Sequence, residues 1–451
     1  MSGPREGTRA GFTWRHAVLA VGCVLCASVA ARADWLAPDA SFRDAQMQLR
    51  YATRDTVGHS DDVARIDTLA VALLRLGRIP EARTLFQRTL AAKPGDPAAC
   101  AALGKLALWA DHLAQAESLL VLAGDVEQSR ADLYCTRLRR AEWNEAAQMC
   151  EELNDDGRKP LLERLAEGPA MGVEGERTHL LFERIWPAPL LKVKLNGTLV
   201  VMMVDTGTPG LLVDPIAVSE YRVTPLAGQR LTPWTGTRVA VKNALVQKLE
   251  IGDVRFTNVP AGVVSLRKLS LDVNPRALPV IGVIGMDVLR RLAVTFDYPR
   301  RRFELAPLPS AAGIAGTRVP FELWGENELT TWGSINGGRR MAMTLATGLP
   351  EGGVGAPDPV FEELGIKSGG VSRLVKGAGT WLQGRPWAQV SVASLTLGRA
   401  AFDKLPGWSG AMEPVEMWRH GVRRDALLGP GILRGRRTTI DWAKRELVFE
   451  D

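Results

Sequence analysis

The sequence predicts a multidomain chain, an α-helical solenoid followed by an all-β domain made of two similar lobes. Three observations carry this. Residues 62–153 are rich in Ala, Leu, Glu and Arg and repeat at a fixed period. From about residue 178 the pattern changes to short apolar runs broken by Gly and Pro, with many Val and Thr. Within that second part, two segments of roughly 130 residues align with each other. A length of 451 residues exceeds one ordinary core, and 46% hydrophobic with 24% charged residues is a globular composition.

The N-terminus has the form of an export signal. Arg5, Arg9 and Arg15 make a positive start, Ala17 to Ala30 an apolar core, and Ala31-Arg32-Ala33 a small-x-small cleavage site. Residues 1–33 are therefore read as a signal peptide, with a periplasmic or extracellular destination. The apolar run is too short for a membrane span, which needs about twenty residues. Val21-Gly22-Cys23 offers a lipid-anchored alternative at Cys23. The net charge of +6 resides half in this leader, and what remains is too small a surplus for a nucleic-acid-binding surface. The clusters Arg300-Arg301-Arg302 and Arg423-Arg424 are read as solvated turns.

Residues 34–170 form the helical domain. Leu76-Gly77-Arg78-Ile79-Pro80-Glu81-Ala82 lies 34 residues before Ala110-Asp111-His112-Leu113-Ala114-Gln115-Ala116, and a looser unit follows at Ala141 to Ala146. The period, and the small Ala where helices cross, resemble tetratricopeptide repeats. Such helix pairs bury their apolar faces against neighbours and build a stacked solenoid. That resemblance implies either a spacer or a groove for a protein partner. Outside the leader the cysteines are Cys100, Cys135 and Cys150, without metal-like spacing. A Cys135–Cys150 disulfide and buried free thiols both remain open.

The β region divides into residues 178–308 and 317–451, joined by the Pro- and Gly-rich stretch 307–316. Gly282 to Leu305 aligns without gaps on Ala426 to Phe449, matching Gly285 with Gly429, Leu289 with Leu433, Thr295 with Thr439 and Asp297 with Asp441. Leu195-Asn196-Gly197 likewise corresponds to Ile335-Asn336-Gly337.

VVMMVDTGTPGLLVD, Val200 to Asp214, sets Asp205-Thr206-Gly207 between two apolar runs, and Val283-Ile284-Gly285 follows about eighty residues later. This combination resembles the retropepsin and pepsin-like aspartic peptidases, giving the second part an acid-protease-like double-lobe fold. The resemblance implies that Asp205 is the catalytic carboxylate, that Gly207 permits the tight turn, and that Thr206 grips the matching loop of the other lobe. Ile284 and Gly285 imply the supporting segment behind the loop, with Leu428 and Gly429 as counterparts in lobe 2. Trp234, within Arg230 to Ala240, falls where this family carries its flap. In such sites two carboxylates share a proton; one takes a proton from water while the other polarises the scissile carbonyl.

Lobe 2 departs from this pattern. Its matching segment is Thr344-Leu345-Ala346-Thr347-Gly348, which keeps Thr347 and Gly348 and replaces the acid by Ala346. Asp358 lies too far beyond the loop to substitute. Three readings follow: a cleft with Asp205 alone that binds peptide without cutting it; an endopeptidase whose second Asp205 comes from a homodimer; or a scaffold beside the helical repeats. A peptide or protein is the implied substrate or ligand. No cofactor is implied, the five His are scattered, and no metal motif is present. Ser265 and Lys268 have a Ser-x-x-Lys spacing without its partner motifs and are read as chance.

Overall fold

The computed structural model describes residues 42–59, 61–234, 237–275, 277–308, 313–349, 351–369 and 387–450. Of residues 42, 127, 231–234, 237, 238 and 415 it describes only the backbone. Residues 1–33, expected to be a signal peptide, and with them Cys23, lie outside the described residues, as does part of the stretch between the lobes. Among the described residues, no helix is long and apolar enough to cross a membrane.

Among the described residues, the repeat region folds as seven helices: α1 (Phe42–Thr56), α2 (Val63–Arg75), α3 (Ile79–Ala92), α4 (Pro97–Trp109), α5 (Leu113–Ala123), α6 (Glu127–Arg140) and α7 (Trp143–Gln148). The boundaries have local causes. Asp62 and Asp96 accept hydrogen bonds from the first free amides of α2 and α4, and Pro97 occupies a first-turn position where no amide is needed. The three hairpin turns place Gly77, Asp111 and Ala141 in the left-handed region. Ala82, Ala116 and Ala146 are wholly buried at the matching crossings, which explains the repeated small residue. Cys100, Cys135 and Cys150 are free thiols; Cys150 Sγ lies 3.6 Å from the Tyr134 hydroxyl. A short turn, Asp156–Arg158, and α8 (Lys159–Glu167) lead out of the array.

The strands of lobe 1 are β1 (Gly172–Glu174), β2 (Thr178–Leu181), β3 (Leu190–Leu195), β4 (Thr198–Val204), β5 (Leu211–Val213), β6 (Thr224–Trp234), β7 (Thr237–Ile251), β8 (Val254–Val263), β9 (Val280–Ile284), β10 (Ala293–Asp297) and β11 (Arg302–Ala306). Lobe 2 contributes β12 (Thr317–Trp324), β13 (Glu328–Ile335), β14 (Met341–Leu345), β15 (Val354–Ala356), β16 (Ala388–Leu397), β17 (Ala400–Ser409), β18 (Ala426–Leu428), β19 (Arg437–Asp441) and β20 (Glu446–Glu450).

The two lobes have the same topology. In lobe 1 the strands run β4-β9-β5-β8-β7-β3 and close β3 onto β4; in lobe 2 they run β14-β18-β15-β17-β16-β13 and close β13 onto β14. Both contain the same parallel pairs, β4 with β9 and β14 with β18. The Asn-Gly turns match as well. Asn196 and Asn336 are left-handed, and each side chain accepts from a backbone amide, Lys248 and Ser394 respectively. A sheet ordered β12-β20-β19-β10-β11-β2 joins the lobes. At its centre Thr295 faces its own duplicate, Thr439, with hydroxyl oxygens 2.8 Å apart. Burial of β4 from Val200 onward, and of β14 throughout, explains why these stretches read as continuous apolar runs rather than alternating ones.

The helical array docks on lobe 2. Trp109 stacks on Trp324 at 4.1 Å between ring centroids, and Gly77 leaves room for Trp332, whose ring would stand 2.6 Å from an added Cβ. Lys105, fully buried, pairs with Asp132 and donates to the His420 carbonyl. Arg139 donates to the carbonyls of Leu323, Gly325 and Glu326 and to Leu108 within its own domain. Burial draws Arg139 down to about 10, so it stays charged at neutral pH. Arg423 and Arg424 correct the solvated-turn reading. Both are buried, Arg423 on Glu363 and Asp425, Arg424 on Glu328. Arg300, Arg301 and Arg302 are exposed as expected. Because Arg139 satisfies four buried carbonyls at once, Arg139→Ala lowers stability by roughly 2–4 kcal/mol, and Arg139→Lys recovers only part of it. Denaturant unfolding followed by tryptophan fluorescence measures this.

Candidate active-site cleft

Strand β4 delivers Asp205 to the junction of the lobes, and β14 delivers Ala346 to the equivalent place. The supporting strands act alike: Asp205 N donates to the Ile284 carbonyl at 3.0 Å, and Ala346 N to the Leu428 carbonyl at 2.8 Å. Gly285 and Gly429 follow these carbonyls. A Cβ at either would come within 2.3 Å of a loop carbonyl, Gly210 O in one case and Gly352 O in the other. These glycines are therefore demanded by close approach of backbone.

The loops grip each other within one chain. The Thr206 hydroxyl donates to Leu345 O at 2.8 Å and accepts from Thr347 N at 3.2 Å. Reciprocally, the Thr347 hydroxyl donates to Val204 O at 3.0 Å and accepts from Thr206 N at 3.1 Å. All four groups are buried, so each bond replaces one that water cannot supply.

Asp205 is almost fully buried. Its Oδ1 accepts from Gly207 N and Gly348 N, both at 2.8 Å, and its Oδ2 accepts from the Thr208 hydroxyl at 2.7 Å. A Cβ on Gly348 would lie 2.5 Å from the Asp205 carboxyl carbon, so lobe 2 contributes a bare amide where a second acid would stand nearby. Burial pushes the Asp205 carboxyl above its ordinary value of 3.8, against the lowering effect of the three donors. Asp358 is not part of this site; its carboxylate accepts from Ser409. Among the described residues, no group of His, Cys, Asp or Glu is arranged to hold a metal ion.

Above Asp205 lies a cleft of about 480 Å³, lined by both lobes and by the helical domain. The hairpin expected to be a flap is formed by β6 and β7 with Trp234 opposite Thr237 in register; the Trp234 side chain lies outside the described residues. Of the residues that wall the cleft, Asp155, Arg158, Asp287, Glu326 and Glu328 carry no motif and were not singled out from the sequence. Arg158 makes a two-pronged pair with Glu326 at 2.7 and 3.0 Å, which holds Glu326 down to about 2 in spite of its burial. Glu328 is held lower still, against burial, by Arg424, His420 and Arg419. Asp155 accepts from the Tyr134 hydroxyl, and Asp287 from Asn327. Burial raises both of these carboxyls. Gly157 presses on the flap strand. Its carbonyl accepts from Asn243 at 2.6 Å, and a Cβ there would stand 1.7 Å from Gln229 O.

Residues 191–288 match the family model of aspartyl proteases, and residues 61–134 that of tetratricopeptide repeats. No curated protein matches the sequence. Among solved structures, the chain is similar to basic 7S globulin from soybean, at 10% identity over 62% of this chain and 95% of that one, with a TM-score of 0.36. It is also similar to a retropepsin-like aspartic protease from Rickettsia conorii, at 15% identity over 31% of this chain and 95% of that one, with a TM-score of 0.20. The chain thus carries tetratricopeptide repeats followed by a β-rich, aspartyl-protease-like part.

The upward shift of the Asp205 carboxyl has a definite sign for stability. The folded state holds this proton more tightly than the unfolded chain, so the stabilisation is complete below the ordinary carboxylate value and is lost as pH rises through the folded value. Asp205→Asn is neutral and of the same shape, and Thr208 can turn its hydroxyl to accept. It therefore melts above the wild type at pH 7, and the gap closes as pH falls toward 3.8. Thermal midpoints across that range check this; a lower midpoint for Asn at pH 7 would show that the three donors outweigh burial.

Proposed function

We propose that this is an exported, periplasmic or extracellular protein whose aspartic-peptidase-like cleft binds peptide segments without the two-carboxylate water activation of that chemistry. The observation that carries this reading is the Gly348 amide on Asp205 Oδ1 at 2.8 Å, within a grip closed inside one chain. Asp205 then has a hydrogen-bond donor from lobe 2 but no carboxylate there to share its proton. One of the two roles, general base or carbonyl-polarising acid, is left unfilled. The signal pattern at residues 1–33 supports export.

Endopeptidase activity at Asp205 is the second reading. It is favoured by the complete Asp205-Thr206-Gly207 loop and by a carboxyl whose value burial has moved upward, toward general-acid use. In its homodimer form, a second Asp205 loop has to displace Thr347-Gly348 and break four buried hydrogen bonds. The repeats fit a supporting role better than an open groove, since the face bearing Lys105, Trp109 and Arg139 is spent on lobe 2. Other surfaces of the array remain for a protein partner.

Digestion of a denatured protein in mildly acidic buffer, with solution mass measured in parallel, separates these readings. The wild type shows no cleavage above the Asp205→Asn background. Ala346→Asp, which puts a carboxylate at the lobe 2 counterpart position, creates cleavage that a further Asp205→Asn removes. Wild-type cleavage that Asp205→Asn abolishes would establish the peptidase, and a steep dependence on protein concentration would point to the dimer.

A further inference from the structure

Among the described residues, one cation of the cleft is not used by the surrounding ion pairs. Arg230 extends from the flap strand β6 and lines the same cleft as Asp205. Its neighbours of opposite charge are already engaged. Glu326 is taken by both terminal nitrogens of Arg158, Asp155 by the Tyr134 hydroxyl, and Asp287 by Asn327. Arg419 and Arg424, the other cations lining the cleft near lobe 2, both sit on Glu328. Among the described residues the Arg230 guanidinium has no hydrogen-bond or ion-pair partner, and its Nε is buried without one. A guanidinium is charged at any working pH and presents a planar fork of donors. Its Nε is shut off from water as well as unpaired, which is unfavourable, and an incoming anion that accepts from it relieves that cost.

The cleft also limits what can bring the anion. Its volume of about 480 Å³ is that of a small-ligand site. The Gly157 turn of the helical domain presses the base of the flap strand, so the helical domain forms one wall. Such a space takes a few residues of extended peptide rather than a long segment crossing from side to side. The anion chemistry that matches a forked guanidinium and belongs to a peptide is a carboxylate, at its C-terminus or on Asp or Glu.

We propose that Arg230 is the specificity-determining residue of this cleft, anchoring the carboxylate of a short peptide. This rests on the peptide-binding reading above, and it deepens that reading by naming the ligand class. Arg158 is a positioning residue here: by occupying Glu326 it leaves Arg230 available.

The test uses the full mature chain carrying Asp205→Asn, so that turnover cannot distort binding. A pool of randomised tetrapeptides, half ending in a free carboxylate and half in a carboxamide, is equilibrated with the protein, and the retained peptides are read by mass spectrometry. Retained peptides are enriched about tenfold or more in free C-terminal carboxylates, or in Asp and Glu at one position, as expected for a charge-assisted hydrogen bond. The two kinds of enrichment tell the C-terminus from an acidic side chain. Arg230→Gln removes the enrichment while the pool is still retained, and Arg230→Lys keeps part of it. Each variant's thermal midpoint is compared with that of the parent, and the Lys variant keeps the test valid should Gln fold poorly. Retention without preference for carboxylate, or a preference unchanged in Arg230→Gln, overturns this proposal and leaves peptide binding intact. No retention of any peptide overturns both.

Discussion

The four hydrogen bonds between the Thr206 and Thr347 loops are the constraint on which the rest of the molecule depends. Each threonine gives its hydroxyl proton to the opposite strand and takes an amide proton in return, so neither loop is satisfied without the other. In a buried site an unmet hydroxyl or amide costs about 1–3 kcal/mol, and the arrangement is therefore all or nothing. It brings β4 and β14 to one point, sets the floor of the cleft, and aims Gly348 at Asp205. Loss of the acid at position 346 leaves this intact, because Ala346 still gives its amide to Leu428 and takes no part in the exchange.

The duplication explains much of the remaining architecture. Two lobes with the same ring of strands meet about an approximate twofold axis, and Thr295 and Thr439 hydrogen-bond across it as copies of one ancestral position. Symmetry of the frame has outlasted symmetry of the site. Lobe 1 keeps the carboxylate; lobe 2 supplies the docking surface for the helical array, with Trp324 and Trp332 at its centre.

Most of the frame was legible in the sequence. Helical periodicity, the 34-residue repeat and the internal alignment each depend on local or repeated chemistry, which a single chain displays. The grip was legible for the same reason, since Thr347-Gly348 persists where the acid is lost. The walls of the cleft were not. Arg158 and Glu326 are paired by folding alone, 168 residues apart, and no spacing rule marks either. Arg423-Arg424 looked like a solvated cluster because a run of like charge shows nothing of its partners. Glu328 and Glu363 arrive from separate segments, join the adjacent Asp425, and turn a surface pattern into a buried network.

The docking of Lys105 on the His420 carbonyl joins residues 315 positions apart. The helical array precedes both lobes on the ribosome, yet the surface that covers Trp109, Lys105 and Arg139 belongs to the second of them. Local helix pairs can form early, whereas this face must wait for synthesis to pass His420. Until then it carries an indole, a buried-type ion pair and an unsatisfied guanidinium in contact with solvent or a chaperone. The order of synthesis thus makes lobe 2, the half without the acid, the piece that completes the maturation of the other two.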